Sequence, residues 1–208
     1  KTPSFITDSL DKYIERSLRE WNIPGAAVAV VHNDRVVVIK GYGFLEMGKK
    51  DKVDENSLFM IASNTKAFTG TAIAILESEG KCSMDDRVQK YLPGFRMKDL
   101  WVAEHLTLTD VLSHRIGMET FQGDFMYWES DLTSDQVVEK FGQLTPVYDY
   151  RAKWGYCNAG FLIAGMCLEA MTGASWDAFI RTRFLQPLEM NRTLALTSEV
   201  KNATNLAS

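Results

Sequence analysis

The stretch "FMIASNTKAFTGTAIAILESEG", residues 59–80, is the most informative segment of this sequence. Its apolar run predicts a helix to about Glu79, and Gly80 stands where helix ends favour a left-handed residue. Ser63 lies at the helix start, whose unpaired N–H groups and positive dipole end stabilise an alkoxide or an oxyanion. Lys66, one turn later on the same face, is close enough to take the hydroxyl proton of Ser63. The segment is therefore either a serine nucleophile with its own base, or a capping serine followed by a solvated lysine.

Spacing alone does not separate these two interpretations. The Ser-x-x-Lys pattern also occurs at Ser9/Lys12, Ser78/Lys81 and Ser198/Lys201. Only Ser63 follows a hydrophobic lead-in, "LFMIA", at the beginning of a predicted helix. This context favours the nucleophile, although a capping serine is the more frequent meaning of the pattern by itself.

A second motif, "KWGYCNAG" at residues 153–160, contains the only Tyr-x-Asn of the chain, Tyr156 and Asn158. It precedes an apolar helix, so a loop there can present both side chains to a cleft. A tyrosine beside an ammonium shares its proton more easily than in water, and an asparagine can hold both a lysine and a substrate amide. Taken alone, the motif is more typical of a turn with a packed tyrosine.

Composition excludes several function classes. The 208 residues are 46% hydrophobic and 24% charged, which is an ordinary globular composition for one domain. A net charge of −4, with basic residues interspersed among acidic ones, argues against a nucleic-acid partner. No apolar run reaches the ~18 to 20 residues that cross a bilayer. We expect neither a metal nor a cofactor, because no ligand or redox spacing is present among His32, His105, His114, Cys82, Cys157 and Cys167.

The predicted strands do not make a complete sheet. The run "AAVAVVHNDRVVVIKGYG" predicts a hairpin with strands near 26–32 and 35–41 around Asn33-Asp34. Its near-continuous valines suggest burial on both faces, which requires neighbouring strands, and residues 42–208 offer no convincing ones. The remaining elements include a helix over 4–21, a capped helix within "LTLTDVLSHRIGM" and a surface loop over 115–134. Further helices begin after the capping residues Ser134 and Ser175, and an apolar helix covers 158–171. The chain therefore looks incomplete, and its free edge at 26–41 would invite association with another chain.

Together the motifs resemble the serine β-lactamase and penicillin-binding-protein superfamily, in its class C β-lactamase, DD-peptidase and esterase branch. The blocks that carry the resemblance stand in the family's order and approximate spacing: "IPGAAVAVV", "KGYGF", "LFMIASNTKAFTG", "LTLTDVLSHRIGM", "KWGYCNAGFLIAGMCLEAMTG" and "FLQPLEMNRT". The resemblance implies an α+β fold in which a helical region packs with an antiparallel sheet, of which only the N-terminal hairpin is present. We expect one incomplete domain over 1–208, with the first helix and hairpin in 1–45 and a mainly helical catalytic region in 46–208.

The resemblance also implies roles for individual residues. Ser63 is similar to the acylated nucleophile, Lys66 to its proton acceptor, and Tyr156 to the group that protonates the leaving group and later activates water. Asn158 would hold the lysine and the substrate, and Gln122 is similar in placement to a substrate-contacting amide of class C enzymes. The family's third motif, Lys-Thr-Gly or His-x-Gly on a late strand that supplies an oxyanion N–H, is absent from the sequence. We therefore expect these residues to be weakly active alone, or to be one piece of a larger enzyme.

Two functions remain open. The first is a serine hydrolase, periplasmic or extracellular by resemblance, that forms an acyl-enzyme with the carbonyl of a peptide or small-molecule ester or β-lactam. The second is a non-catalytic penicillin-binding-like module that binds peptides or cell-wall fragments. The complete set of Ser63, Lys66, Tyr156 and Asn158 favours the hydrolase, because a binding module does not need all four. Motifs do not select among the substrates, since specificity lies in small differences between competing acyl groups.

Overall fold

The computed structural model describes residues 3–127 and 130–208. The chain divides into two compact units. The terminal unit comprises the chain up to Ile61 together with Glu189–Ser208, and the helical unit is Ala62–Leu188. The division of one incomplete domain at residue 45 stays a prediction.

The terminal unit begins with two helices and the hairpin. The predicted single helix over 4–21 is interrupted at Ser9, whose φ of −132° leaves the helical region, so α1 is Ser4–Asp8 and α2 is Leu10–Glu20. The hairpin is confirmed, with β1 at Gly25–His32 and β2 at Arg35–Gly43. Its turn has positive φ at both Asn33 and Asp34, which is the type I′ geometry that matches strand twist.

The described residues do not bury both faces of the hairpin, and burial by further strands stays a prediction. Exposure alternates along β1, and three apolar side chains are more than 60% exposed: Val31 at 64%, Val36 at 62% and Ile39 at 62%. Among the described residues, β1 and β2 pair only with each other. Without a third layer or strand, one face of the hairpin stays open to solvent. Association through residues 26–41 stays a prediction.

Polar contacts hold the terminal unit together. The Asp11 carboxylate accepts hydrogen bonds from Lys40 Nζ and Tyr42 OH, both at 2.7 Å, which fixes α2 on β2. The C-terminal segment pairs with the loop after the hairpin, where Leu58 N–H donates to the Asn205 carbonyl at 2.8 Å. A 3₁₀ helix, Thr197–Asn202, precedes this contact.

The helical unit is built around the long helices α3, Thr65–Ser78, and α8, Asn158–Thr172. Helix α8 is apolar on nearly all sides and contacts helices on several faces, as a helix without a polar face must. At Gly160 a Cβ would lie 2.5 Å from the Val111 carbonyl oxygen, so only glycine allows this close helix contact. The shorter helices are α4 Val88–Tyr91, α5 Leu100–His105, α6 Leu108–Leu112, α7 Ser134–Gly142 and α9 Trp176–Ile180.

Most predicted helix ends are confirmed. Gly80 and Gly173 have left-handed φ values of 70° and 69° after α3 and α8, and Ser175 Oγ accepts the Ala178 N–H at the start of α9. Ser134 as the cap of α7 is wrong, because Thr133 forms a capping box with Gln136. Ser134 has no glutamate or glutamine three residues on to complete that pair of bonds.

The predicted loop over 115–134 contains one short 3₁₀ helix, Asp124–Met126, in its described part. Trp128, which belongs to this loop, lies outside the described residues. Across the described part of the chain, no helix has the length and apolar character needed to cross a membrane.

A buried carboxylate joins α6 to the segment that leads towards residue 156. Asp110 is 2% exposed and accepts hydrogen bonds from Thr107, from Tyr150 OH at 2.5 Å, and from two guanidinium nitrogens of Arg151 at 2.7 Å. Burial would raise the pKa of Asp110, but the bonds from Arg151, Tyr150 and Thr107 outweigh it and lower this pKa to about 2. The ionised carboxylate therefore stabilises the folded state.

We expect Asp110→Asn to lower the free energy of unfolding near neutral pH by about 2 kcal/mol, because charge-assisted hydrogen bonds are lost from a buried site. The folded pKa is depressed, so the contribution is present above the unfolded pKa of about 3.9 and is lost as pH falls through about 2. Urea unfolding at a series of pH values measures this. Asp135→Asn, at an exposed position of α7, is the charge-matched control. The free energies of unfolding of Asp110→Asn and the unsubstituted protein should approach each other as the pH falls. If the difference between them stays constant on acidification, this account is contradicted.

Candidate active site

Ser63 lies in a 3₁₀ turn, Ala62–Asn64, immediately before α3. Asn64 occupies the N-cap position of α3, so the interpretation of Ser63 as the helix cap is wrong. Ala62 has a left-handed φ of 44°, a conformation that costs a residue with a Cβ on the order of 1 kcal/mol or more. The turn leaves Ser63 exposed, with its hydroxyl available to a ligand.

Two proton-carrying groups converge on the Ser63 hydroxyl. Lys66 Nζ, in the first turn of α3, lies 3.2 Å from Ser63 Oγ. Tyr156 OH, from the segment immediately before α8, lies 2.5 Å from the same oxygen. The structure thus brings together two motifs that are 93 residues apart in sequence. A serine in this position can lose its proton to either neighbour once that neighbour has given up its own.

Lys66 is held by groups from α8. Its Nζ donates to Asn158 Oδ1 at 2.6 Å, and Asn158 is the first residue of that helix. The same nitrogen lies 4.8 Å from the ring centroid of Tyr156 and 5.4 Å from that of Phe161. Aromatic faces attract a cation, so these rings and the amide oxygen suit an ammonium group at this position.

Asp124 belongs to the same network, and the sequence did not point to it. Its Oδ2 accepts a hydrogen bond of 2.7 Å from Asn158 Nδ2. Since a carboxylate only accepts and an ammonium only donates, the amide nitrogen of Asn158 must face Asp124 and its oxygen Lys66. The second oxygen, Asp124 Oδ1, is buried and has no hydrogen-bond partner within the described residues. No local motif marks this aspartate, because only the folded loop over 115–134 brings it to α8.

Tyr156 ionises more readily than a free tyrosine. Burial raises the pKa of Tyr156, but its hydrogen bonding with Lys66 and Ser63 and the charge of Lys66 outweigh burial, so this pKa is lowered from its ordinary value. The negative charge of Asp124 opposes the shift. The lowered pKa suits a group that takes and returns a proton at Ser63.

His114 lies against Tyr156 and was also missed by sequence reasoning, which asked only whether histidines had metal-ligand spacing. Its ring stacks on that of Tyr156, with centroids 4.7 Å apart and an angle of 28° between the planes. Its Nδ1 accepts the Cys157 N–H at 3.0 Å. The neighbour Cys157 is itself buried, and burial raises the pKa of this thiol to about 11, which disfavours Cys157 as a nucleophile.

Gln122 is not joined to the other four predicted site residues by any hydrogen bond within the described part of the chain. Its Oε1 accepts the Glu119 N–H at 2.9 Å, and its Nε2 donates to the Thr145 carbonyl at 2.7 Å. Both ends of the carboxamide therefore anchor the loop. The adjacent Phe121 N–H donates to the Tyr156 carbonyl at 2.9 Å, so this loop does border the site. A substrate contact by Gln122 stays a prediction.

Known proteins are similar to this chain in sequence and fold over part of their length. The profile of the family described as Beta-lactamase matches residues 10–204. Protein flp of Staphylococcus aureus (strain N315) is 33% identical over 195 residues, which cover 88% of this chain and 37% of flp.

Solved structures give the same result. A class C β-lactamase superposes with a TM-score of 0.79 at 26% identity, over 98% of this chain and 54% of that protein. The octameric penicillin-binding protein homologue from Pyrococcus abyssi superposes with a TM-score of 0.76 at 26% identity, over 97% of this chain and 47% of the homologue.

These matches confirm the resemblance and the α+β, β-lactamase-like fold inferred from the sequence. The chain spans between about a third and about half the length of the proteins that it matches. Within that span the helix-rich architecture with one antiparallel strand pair corresponds to part of the family's α+β domain. The chain therefore belongs to the β-lactamase family.

Proposed function

We propose that this protein is a serine hydrolase that forms an acyl-enzyme at Ser63 with the carbonyl of a peptide, an ester or a β-lactam. The observation that carries the proposal is the convergence of Lys66 Nζ and Tyr156 OH on Ser63 Oγ, at 3.2 Å and 2.5 Å. An exposed serine hydroxyl that touches two such groups meets the geometric requirement for an activated nucleophile. Membership of the β-lactamase family supports serine hydrolase chemistry in general, without selecting a substrate.

The proposed reaction has two halves. Ser63 Oγ attacks the carbonyl carbon while its proton passes to the phenolate form of Tyr156 or to Lys66 as a neutral amine. The tetrahedral intermediate then collapses, the bond to the leaving group breaks, and the leaving nitrogen or oxygen takes up that proton. A water molecule, deprotonated by the same group, then attacks the carbonyl carbon of the acyl-serine ester. The bond from that carbon to Ser63 Oγ breaks, the acid product is released, and Ser63 Oγ takes up the proton that the water gave to the group.

Geometry supports distinct parts for the two neighbours of Ser63. The Tyr156 oxygen is nearer to the nucleophile and has a lowered pKa, which supports it as the group that moves protons to and from the leaving group and water. Lys66 lowers that pKa and is itself oriented by Asn158. The family resemblance implies that Lys66 also accepts the Ser63 proton, a role that requires its neutral amine.

The substrate and the location are part of the proposal. We propose a peptide or small-molecule acyl donor and a periplasmic or extracellular location, both by analogy with the family. Since the chain spans only part of its relatives, other residues of the complete protein would complete the pocket and its oxyanion site.

We expect the complete protein to form a covalent adduct with a fluorophosphonate or a penicillin, and Ser63→Ala to abolish it, because that hydroxyl is the nucleophile. Mass spectrometry of the intact protein and of its peptides locates the adduct. Ser198→Ala, in another Ser-x-x-Lys sequence and exposed, is the control that should label normally. A complete protein that forms no adduct with either reagent would favour the alternative, a non-catalytic penicillin-binding-like module.

Lys66→Arg should slow labelling of Ser63 by about 10²- to 10⁴-fold, the usual contribution of a general base, because a guanidinium keeps its proton. The measurement is the second-order rate constant of fluorophosphonate labelling. Lys81→Arg, in the exposed Ser78/Lys81 sequence, should leave the rate unchanged. Labelling of the Lys66→Arg variant at a near-normal rate would remove Lys66 from the role of proton acceptor.

Tyr156 should ionise at lower pH than an ordinary tyrosine, since Lys66 and Ser63 favour its phenolate. The difference in phenolate absorbance between the unsubstituted protein and Tyr156→Phe reports this ionisation. Replacing Lys66 by methionine removes a donor and a charge, so its midpoint should rise. Tyr91→Phe is the control and should leave the Tyr156 midpoint unchanged. Burial and Asp86 raise the pKa of Tyr91 to about 12, so Tyr91 contributes no phenolate at the lower pH. A Tyr156 midpoint at or above the ordinary value of about 10 would contradict the assignment.

A further inference from the structure

A single histidine accepts hydrogen bonds from the backbone on both sides of Tyr156. His114 Nδ1 accepts the Cys157 N–H at 3.0 Å, and the His114 carbonyl oxygen accepts the Gly155 N–H at 3.0 Å. These two N–H groups flank Tyr156. The imidazole ring lies on the phenol ring at 4.7 Å, so backbone and side chain of Tyr156 are both held by this one residue.

These contacts depend on an unusual backbone at His114. Its φ of 61° is left-handed, a conformation that residues with a Cβ adopt at a cost of about 1 to 3 kcal/mol. In this conformation the carbonyl and the ring of His114 both reach the segment before α8. Strain of this kind persists only where surrounding contacts over-determine it, and it clusters at functional sites.

The imidazole must be neutral to make these contacts. Nδ1 can accept an N–H only with a free lone pair, which places the ring proton on Nε2. The titratable groups that act on the ring are Lys66 of α3 and Tyr156 and Cys157 of the segment before α8, while Asp124 acts on the latter two. The uncharged rings of Trp154 and Phe161 also lie against it. Burial and the charge of Lys66 lower the pKa of His114, so the ring becomes protonated only under acidic conditions.

We propose that His114 is a positioning residue for acyl transfer, which holds the phenol oxygen of Tyr156 on Ser63 through the Gly155–Cys157 backbone and through ring stacking. The inference rests on the proposed function. His114 acts through Tyr156 and the adjoining peptide groups, and none of its hydrogen bonds in the described residues reaches Ser63. When Nδ1 takes up a proton, the bond to Cys157 is lost and a second positive charge arises beside Lys66. Acid should therefore release Tyr156 and slow the acylation of Ser63.

Two substitutions separate the parts of this role. His114→Asn keeps a side-chain oxygen near the place of Nδ1, tolerates left-handed φ and has no proton to gain. His114→Phe keeps a ring that can stack on Tyr156 but has no acceptor for the Cys157 N–H. His105→Asn is the control, because His105 bonds to the Trp101 carbonyl and stacks on Trp101 instead.

The measurement is the rate of Ser63 labelling by a fluorophosphonate as a function of pH in the complete protein, with urea unfolding of each variant. We expect His114→Phe to label about 10²-fold more slowly near neutral pH. That is the usual cost of displacing a reacting group, here the Tyr156 phenol, by about 1 Å. We expect His114→Asn to label within about tenfold of the unsubstituted protein, and the acid limb of its pH profile to move to lower pH.

Each result decides the inference. A His114→Phe variant that labels at the normal rate overturns it, and so does a His114→Asn variant with an unmoved acid limb. If His114→Phe does not fold, the acid limb of His114→Asn decides alone, because a merely structural histidine would lower stability without moving that limb. If the unsubstituted protein is not labelled at any pH, the proposed function fails as well. Labelling with an unmoved acid limb defeats only the role of His114.

Discussion

The hydrogen bond between Lys66 and Asn158 joins the two longest helices of the helical unit at the point where chemistry is proposed. Lys66 lies in the first turn of α3, and Asn158 begins α8. Both helices start at this point, so their apolar lengths pack together while their polar first residues meet. The position of the lysine relative to Asn158 and Tyr156 therefore depends on how closely α3 and α8 pack. A close contact at Gly160, where a side chain would meet the α6 backbone, in turn fixes α8 against α6.

Further polar contacts extend from both partners of the Lys66–Asn158 hydrogen bond. On one side, Asp124 fixes which end of the Asn158 amide faces the lysine, because a carboxylate can only accept. On the other side, Lys66 lowers the pKa of Tyr156, and His114 bonds to the backbone next to Tyr156. Each group thus has its orientation set by the next, which is how a preorganised site avoids reorganisation during the reaction.

Some of the backbone strain of the chain lies around the same residues. Ala62, His114 and Phe121 all have left-handed φ although none is glycine. Each is adjacent to the proposed nucleophile or bonded to the segment that carries Tyr156, since Phe121 N–H and the His114 carbonyl both bond to that segment. A packed helical scaffold can hold such residues, because leaving these conformations would break buried contacts elsewhere.

The sequence by itself determined the fold class, the hairpin, most of the helix ends and the pairing of Ser63 with Lys66. All of these follow from short-range rules, namely the hydrophobic period, turn chemistry and the rise of a helical turn, together with a family resemblance spread over several blocks. Local rules erred where neighbouring residues competed, as when Thr133 took the cap expected of Ser134 and when Asn64 took the N-cap position next to Ser63. Only the tertiary structure decided that Asp124 orients Asn158 and that His114 holds Tyr156. The same is true of the Gln122 amide, which bonds to backbone groups of Glu119 and Thr145. These contacts join residues up to 43 positions apart, and the direction of each hydrogen bond depends on packing that no local pattern of residue types encodes.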